Sequence, residues 1–151
     1  MTTVSMVFTK SVIVASVETM LWKYGMAIEN PENYKKVFNT QSDSKNNTVD
    51  MRMVSDSWDT RTKEAFGLLK DFNPTVSEQP QGVTNVSIVM PARWIGKTNV
   101  LKEALDRYIT DGMMADWLSV TAPDESAIYA NRLQQDVTKI NVELYSKGAP
   151  Q

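Results

Sequence analysis

One short string in the chain carries nucleotide-type chemistry. Gly96-Lys97-Thr98 follows an apolar, strand-like run and precedes a helical one, which is the setting in which a Gly-rich loop cradles phosphate on its backbone N–H groups. That loop needs an earlier glycine, where the backbone wraps the anion, and Pro91 holds that position. Gly96 is therefore read as a turn residue and Thr98 as a helix cap. Asp116, Asp124 and Glu125 offer hard oxygen ligands, but without the alternating loop spacing of a calcium site, and they read as solvated acids at helix ends. Asn46-Asn47-Thr48 fits a glycosylation acceptor, with no secretion signal beside it. Lys35-Lys36, Arg52, Arg61, Lys63, Arg93, Lys97 and Lys102 are scattered and read as solvated faces. In a symmetric ring a few of them would repeat around a lumen and touch passing DNA. No catalytic, metal-binding or cofactor-binding set is expected.

Composition narrows the classes further. The chain has no Cys and no His. Disulfides, thiolate nucleophiles and Cys-ligated metals are excluded, and the usual general base and commonest metal ligand are missing. A non-enzymatic role is the expectation. Sixteen basic against eighteen acidic residues give a net charge of -2, unlike a nucleic-acid binder with a basic footprint. With 42% hydrophobic and 23% charged residues over 151 positions, the chain reads as one globular domain. Nine Met and four Trp suit adaptable contacts and buried anchors at protein interfaces. The apolar run Val12-Ile13-Val14-Ala15 is bounded by Lys10 and Glu18. It is far shorter than the ~20 residues of a spanning helix and too short for a signal peptide. The expectation is an unprocessed, soluble chain without a membrane partner.

The elements that would position these residues are mostly helical. Residues 1–10 read as an extended N-terminal arm, because Val4, Met6 and Phe8 alternate with small polar residues. That pattern suits an edge strand or strand addition to a neighbour. A helix is expected from Ser11 to Tyr24, with Thr9 or Ser11 as cap and Gly25 as stop. Tyr34 to Phe38 reads as a short strand, and Val49, Met51 and Met53 alternate as in a half-buried strand. Trp58, Thr62, Ala65, Leu69 and Phe72 form a helical stripe that ends before Pro74. Val86, Ile88 and Met90 form a strand, expected to pair with the one near residues 49–54. A third helix spans Val100 to Leu118, capped by Thr98 or Asn99, with Gly112 weakening it by about 1 kcal/mol. The last starts at Pro123 with Asp124 and Glu125 in its first turn, carries the stripe Tyr129, Leu133, Val137, Ile140, Leu144, and stops near Gly148. The polar stretches Gln41 to Asn47 and Asn73 to Gly82 read as loops. The fold class is mainly α with a small β component: about four helices packed with two or three short strands, residues 11–150 forming a single helical domain.

From Val86-Ser87-Ile88-Val89-Met90-Pro91 onward, the order of motifs becomes familiar. It runs through Tyr108-Ile109, Ala115-Asp116-Trp117-Leu118 and Ala122-Pro123-Asp124-Glu125-Ser126-Ala127-Ile128-Tyr129-Ala130 to Leu144-Tyr145-Ser146-Lys147-Gly148-Ala149-Pro150. This order resembles small virion structural proteins of tailed bacteriophages that infect gut Bacteroidetes, similar in layout to head–tail connector or ring proteins. The strand–helix pattern from Val49 to Phe72 extends the likeness over about residues 11–150. One departure is Lys147-Gly148-Ala149-Pro150, which stands where more basic residues would be expected.

The resemblance implies a virion structural protein made in the host bacterial cytoplasm. It would be a subunit of a homo-oligomeric ring in the neck that joins portal and capsid to tail. Its partners would be copies of itself and neighbouring virion proteins: portal, other connector or tail proteins. A tail-completion or terminator protein is the alternative, and a nucleotide-binding packaging factor the lesser one. The segments expected to meet partners are Val4, Met6 and Phe8 of the arm, the loop from Gln41 to Asn47, and Trp94.

Overall fold

The computed structural model describes residues 2–26 and 48–148, with the side chains of 21–26, 48–53, 120 and 121 outside that description. The expected strand at Tyr34 to Phe38 and the loop from Gln41 to Asn47 lie outside the described residues. Among those described, four helices dominate and a small antiparallel sheet accompanies them, as the fold class anticipates.

The sheet begins with β1 (Thr2–Thr9) and is completed by β2 (Thr75–Gln79) and β3 (Val83–Met90), in spatial order β1-β3-β2. The period-2 pattern of β1 sends Val4, Met6 and Phe8 to one face. There they meet the matching residues of β3, with Val4 opposite Ile88 and Met6 opposite Val86. All five are buried. The expected arm is thus an integral strand of the domain. Its apolar side chains have an inward face to fill, and leaving them in water would forfeit about 1.5–3 kcal/mol for each large one.

β2 falls inside the stretch expected to be a loop. It follows Asn73, which adopts φ 51, a left-handed conformation that Asn tolerates. Its five side chains are all exposed, so no apolar alternation betrays it. Only its backbone pairing with β3 makes it a strand. The link from β2 to β3 turns on Gln81 and Gly82, with φ of 67 and 73.

Helix α1 (Lys10–Met26) leaves β1 without an intervening loop. It buries Ile13 and Val17 and continues through Gly25 rather than stopping there. Helix α2 (Thr48–Gly67) overturns the strand expected at Val49 to Met53. Both edges of β3 are taken by β1 and β2, so the anticipated pairing with residues 49–54 has no vacancy. The stripe of Trp58, Thr62 and Ala65 already holds a helix, and extending it adds a hydrogen bond per residue without a new nucleus.

Helix α3 (Thr98–Thr121) is the central post. Leu101, Leu105, Ile109, Met114 and Leu118 are fully buried along it. Its N-cap is Lys97, with no side-chain cap bond. The expected caps Thr98 and Asn99 lie inside the helix because Glu143 supplies the anchor described below. Helix α4 (Pro123–Leu144) starts at Pro123 with Asp124 and Glu125 in its first turn and packs back along α3. Ile140 and Leu144 of its stripe are buried, and Tyr129, Leu133 and Val137 pack against the core. Past α4 the chain returns to residues 93–95: Ile95 donates to the Ser146 carbonyl at 3.1 Å and Gly148 to that of Arg93 at 2.7 Å. Gly148 therefore seals this return rather than ending the helix.

Candidate functional site

Three places concentrate polar chemistry, and α3 takes part in each.

The first is its N-terminal end. The Trp94 indole donates to the Glu143 carbonyl at 2.8 Å, and the Lys97 backbone N–H donates to the Glu143 carboxylate at 2.5 Å. A Cβ on Gly96 would sit 2.5 Å from the Trp94 ring and 2.6 Å from the Glu143 carbonyl. Gly96 is therefore there for close packing. The string Gly96-Lys97-Thr98 meets a carboxylate of its own chain where a phosphate would bind a helix N-terminus. Trp94, expected to face a partner, turns inward and pairs its backbone with Lys147. Val4, Met6 and Phe8 depart from the interface expectation in the same way. Phe8 is fully buried, its ring 5.2 Å from Phe66 and 5.3 Å from the Lys102 ammonium.

The second place joins α2 to α3. Arg61 donates through Nε and one terminal nitrogen to the two oxygens of Asp116, at 2.9 and 2.6 Å. Ser57 adds a 2.6 Å bond to the same carboxylate. The other terminal nitrogen of Arg61 reaches Glu64 at 3.0 Å, and Tyr108 donates its hydroxyl to that Glu64 oxygen, also at 3.0 Å. Gly112 makes the crossing possible, since a Cβ there would lie 2.5 Å from the Arg61 stem. The bond to Asp116 raises the Arg61 pKa further above its ordinary value. Burial, then the Glu64 contact, raises that of Tyr108. Asp116, its side chain 35% exposed, is thus tied into a network between two helices rather than standing free at a helix end, and Arg61 is mostly covered. A two-pronged Arg–carboxylate pair of this kind fixes geometry as well as adding energy.

The third place lies where α1, α3 and α4 meet, in an open groove of about 500 Å³. Four carboxylates line it: Glu103, Asp106 and Asp111 of α3, and Asp136 of α4. Arg107, Arg132 and Lys139 line it as well. Asp136 is only 4% exposed. Burial, then the hydrogen bond and negative charge of Asp136, push the Asp111 carboxyl up to about 7, against the pull of Arg132 and Arg107. Burial also raises Asp106, although Lys102 donates to its Oδ2 at 2.7 Å. Asp106 Oδ1 and Asp136 Oδ2 are buried without a hydrogen-bond partner among the described residues. The composition gave no hint of this groove. One positional signal did exist: Asp136 falls on the apolar stripe of α4, three residues after Leu133 and four before Ile140, where an acid is out of place.

Among the described residues no group of three or more acidic side chains is arranged to hold a metal ion. No helix there is long and apolar enough to cross a membrane. The chain matches no family model, and no curated protein or solved structure matches it.

Proposed function

We propose that this chain is a bacteriophage virion structural protein, a subunit of an oligomeric ring in the connector between capsid and tail. The observation that carries the reading is the outer edge of β1. Thr2–Thr9 contains no charged residue and no proline, and no strand among the described residues pairs with its far side. Folded domains usually blunt such an edge with Lys, Pro, a bulge or a covering element, because its free N–H and C=O groups template pairing with another chain. Here the edge is left plain, and Val7 beside it is 49% exposed. Strand addition along β1 would join subunits through backbone hydrogen bonds, and closing such contacts into a ring multiplies a modest affinity.

The sequence resemblance points the same way. So does the inward closure of the polar networks around Asp116 and Glu143, which makes them packing devices. The interface moves from the side chains of Val4, Met6 and Phe8 to the backbone of the strand that carries them.

The test is direct. Particles analysed by mass spectrometry should contain the chain, and electron microscopy should place it as a ring at the neck. The purified protein should form closed oligomers that a proline at Ser5 or Val7 reduces. A chain that stays monomeric at high concentration and is absent from virions ends the proposal. A ring found at the far side of the neck selects a tail-completion or terminator role.

A further inference from the structure

A second groove, of about 340 Å³, runs along the outer seam of α3 and α4. The two helices are antiparallel. Only Ala122 separates them at one end, and at the other the Lys97 N–H meets the Glu143 carboxylate. The start of α3 therefore lies beside the end of α4. There Val100 and Val142 form an apolar outer end to the groove, 41% and 63% exposed. Ile95, 64% exposed, stands at the same end of the helix pair, its N–H on the Ser146 carbonyl. Three of the eight large apolar side chains exposed among the described residues are thus gathered in one place. Gathering of that kind marks a contact surface, whereas apolar residues exposed singly do not.

We propose that this groove is a two-fold contact between two copies of the chain. What selects a second copy is the order of charge along it. Glu143 lies at the outer end, Glu103 and Lys139 lie midway, and Arg107 lies at the inner end, about 10 Å along α3 from Val100. Turned end for end, a second groove sets Arg107 against Glu143 and Lys139 against Glu103. Every charge then meets its opposite, which makes the surface complementary to itself. Within one chain Glu103 and Arg107 bridge each other at 3.1 Å, both more than half exposed, and a bond so exposed is given up at little cost. Val142 of each copy seats over the partner's Ala104, beneath the methylene stem of the partner's Arg107. These residues belong to α3 and α4 and none to the sheet. The contact is therefore separate from the β1 edge and does not rest on the ring assignment.

The experiment uses the full chain. Sedimentation across a wide concentration range should show a reversible dimer that weakens as salt rises. Val142→Glu, at an exposed position, should weaken it at least about tenfold, because the contact would then bury an unpaired charge. Lys139→Glu should weaken it as well, and adding Glu103→Lys should restore it, since the cross-copy pair is then only exchanged. The natural chain has no Cys, so a single introduced one reports contact without interference. Thr138→Cys, near the middle of the groove, should link to its own counterpart on oxidation far faster than Lys63→Cys on α2. Ser5→Pro should leave the dimer intact, which separates this contact from strand addition at β1. The proposal is overturned by a chain that stays monomeric throughout, by a dimer indifferent to Val142→Glu and Lys139→Glu, by a charge exchange that restores nothing, or by equal cross-linking at the two cysteines. Oligomers that only Ser5→Pro disrupts would also overturn it, and would leave the β1 contact standing.

Discussion

Two charged clusters flank α3, and they differ in how completely they are satisfied. On the α2 side, Arg61, Asp116, Ser57, Glu64 and Tyr108 close on one another, with bonds of 2.6 to 3.0 Å. On the α4 side, Asp111 and Asp136 share a hydrogen bond as like groups, and two buried carboxylate oxygens lack partners among the described residues. Both clusters are polar and set between helices, yet only the first resembles a part built for stability. A completed network rigidifies a core, while an incomplete one in the same low dielectric costs stability. An unsatisfied buried polar group calls for an explanation, such as stored strain or a bound water or ion.

This contrast can be broken by mutation, most strongly on the closed side. Arg61→Ala should cost about 2 kcal/mol, because it leaves Asp116 with Ser57 alone and Glu64 with Tyr108 alone. A thermal midpoint lower by about 4–8 °C would register it. A midpoint unchanged within error would mean that solvent already screens the pair. Gly112→Ala should follow at about 1 kcal/mol of net loss. The new methyl displaces the Arg61 stem, and the gain in helix propensity of about 1 kcal/mol only partly offsets that. Placed in the Arg61→Ala background, the same change should instead stabilise, and urea unfolding of the four proteins would measure the reversal.

The open side should respond with the opposite sign. The Asp111 carboxyl in the folded chain holds its proton up to about 7, while an unfolded Asp releases it near 4. Between those values the folded state binds more protons, so stability falls as pH rises from about 4 to about 7 and levels off above. Asp111→Asn should therefore leave stability nearly unchanged at pH 4 and raise it at pH 8, by about 1 kcal/mol after allowing for the group's partial exposure. Urea melts at the two pH values would read the difference, and a variant with the wild-type slope would contradict it. The smallest effect expected is Ser57→Ala, about 0.5–1 kcal/mol for one hydrogen bond among several to Asp116.

Much of the frame is visible in the bare sequence, and the reasons are local. The stripe Tyr129, Leu133, Val137, Ile140, Leu144 marks α4 because one face of a long helix is enough to reveal it. β3 shows itself through Val86, Ile88 and Met90. β2 does not, since its side chains bury nothing and its partner lies in another segment. Val49, Met51 and Met53 mislead because a run that short fits two periods, and only the occupancy of β3's edges decides between them. The clusters are hidden for a related reason. Arg61 and Asp116, or Asp111 and Asp136, sit on different helices, so each looks like an ordinary surface charge until the helices meet. Gly112 is the clearest example. In sequence it is a weak point in a helix, whereas in the structure it is the notch through which Arg61 passes.

The placement of β1 has a consequence for how the protein is made. Val4 pairs with Ile88, so once β1 leaves the ribosome it must wait for about eighty more residues before its partner exists. At synthesis rates of about 5–20 residues per second, that delay is on the order of ten seconds. β2 and β3 are close in sequence and can pair as soon as both emerge. Through that interval Val4, Met6 and Phe8 remain in solvent on an unpaired, uncharged strand. Nascent chains crowded on one polysome would hold many copies of that strand close together, so the speed at which β3 appears sets how often β1 meets its own sheet before it meets a neighbour's.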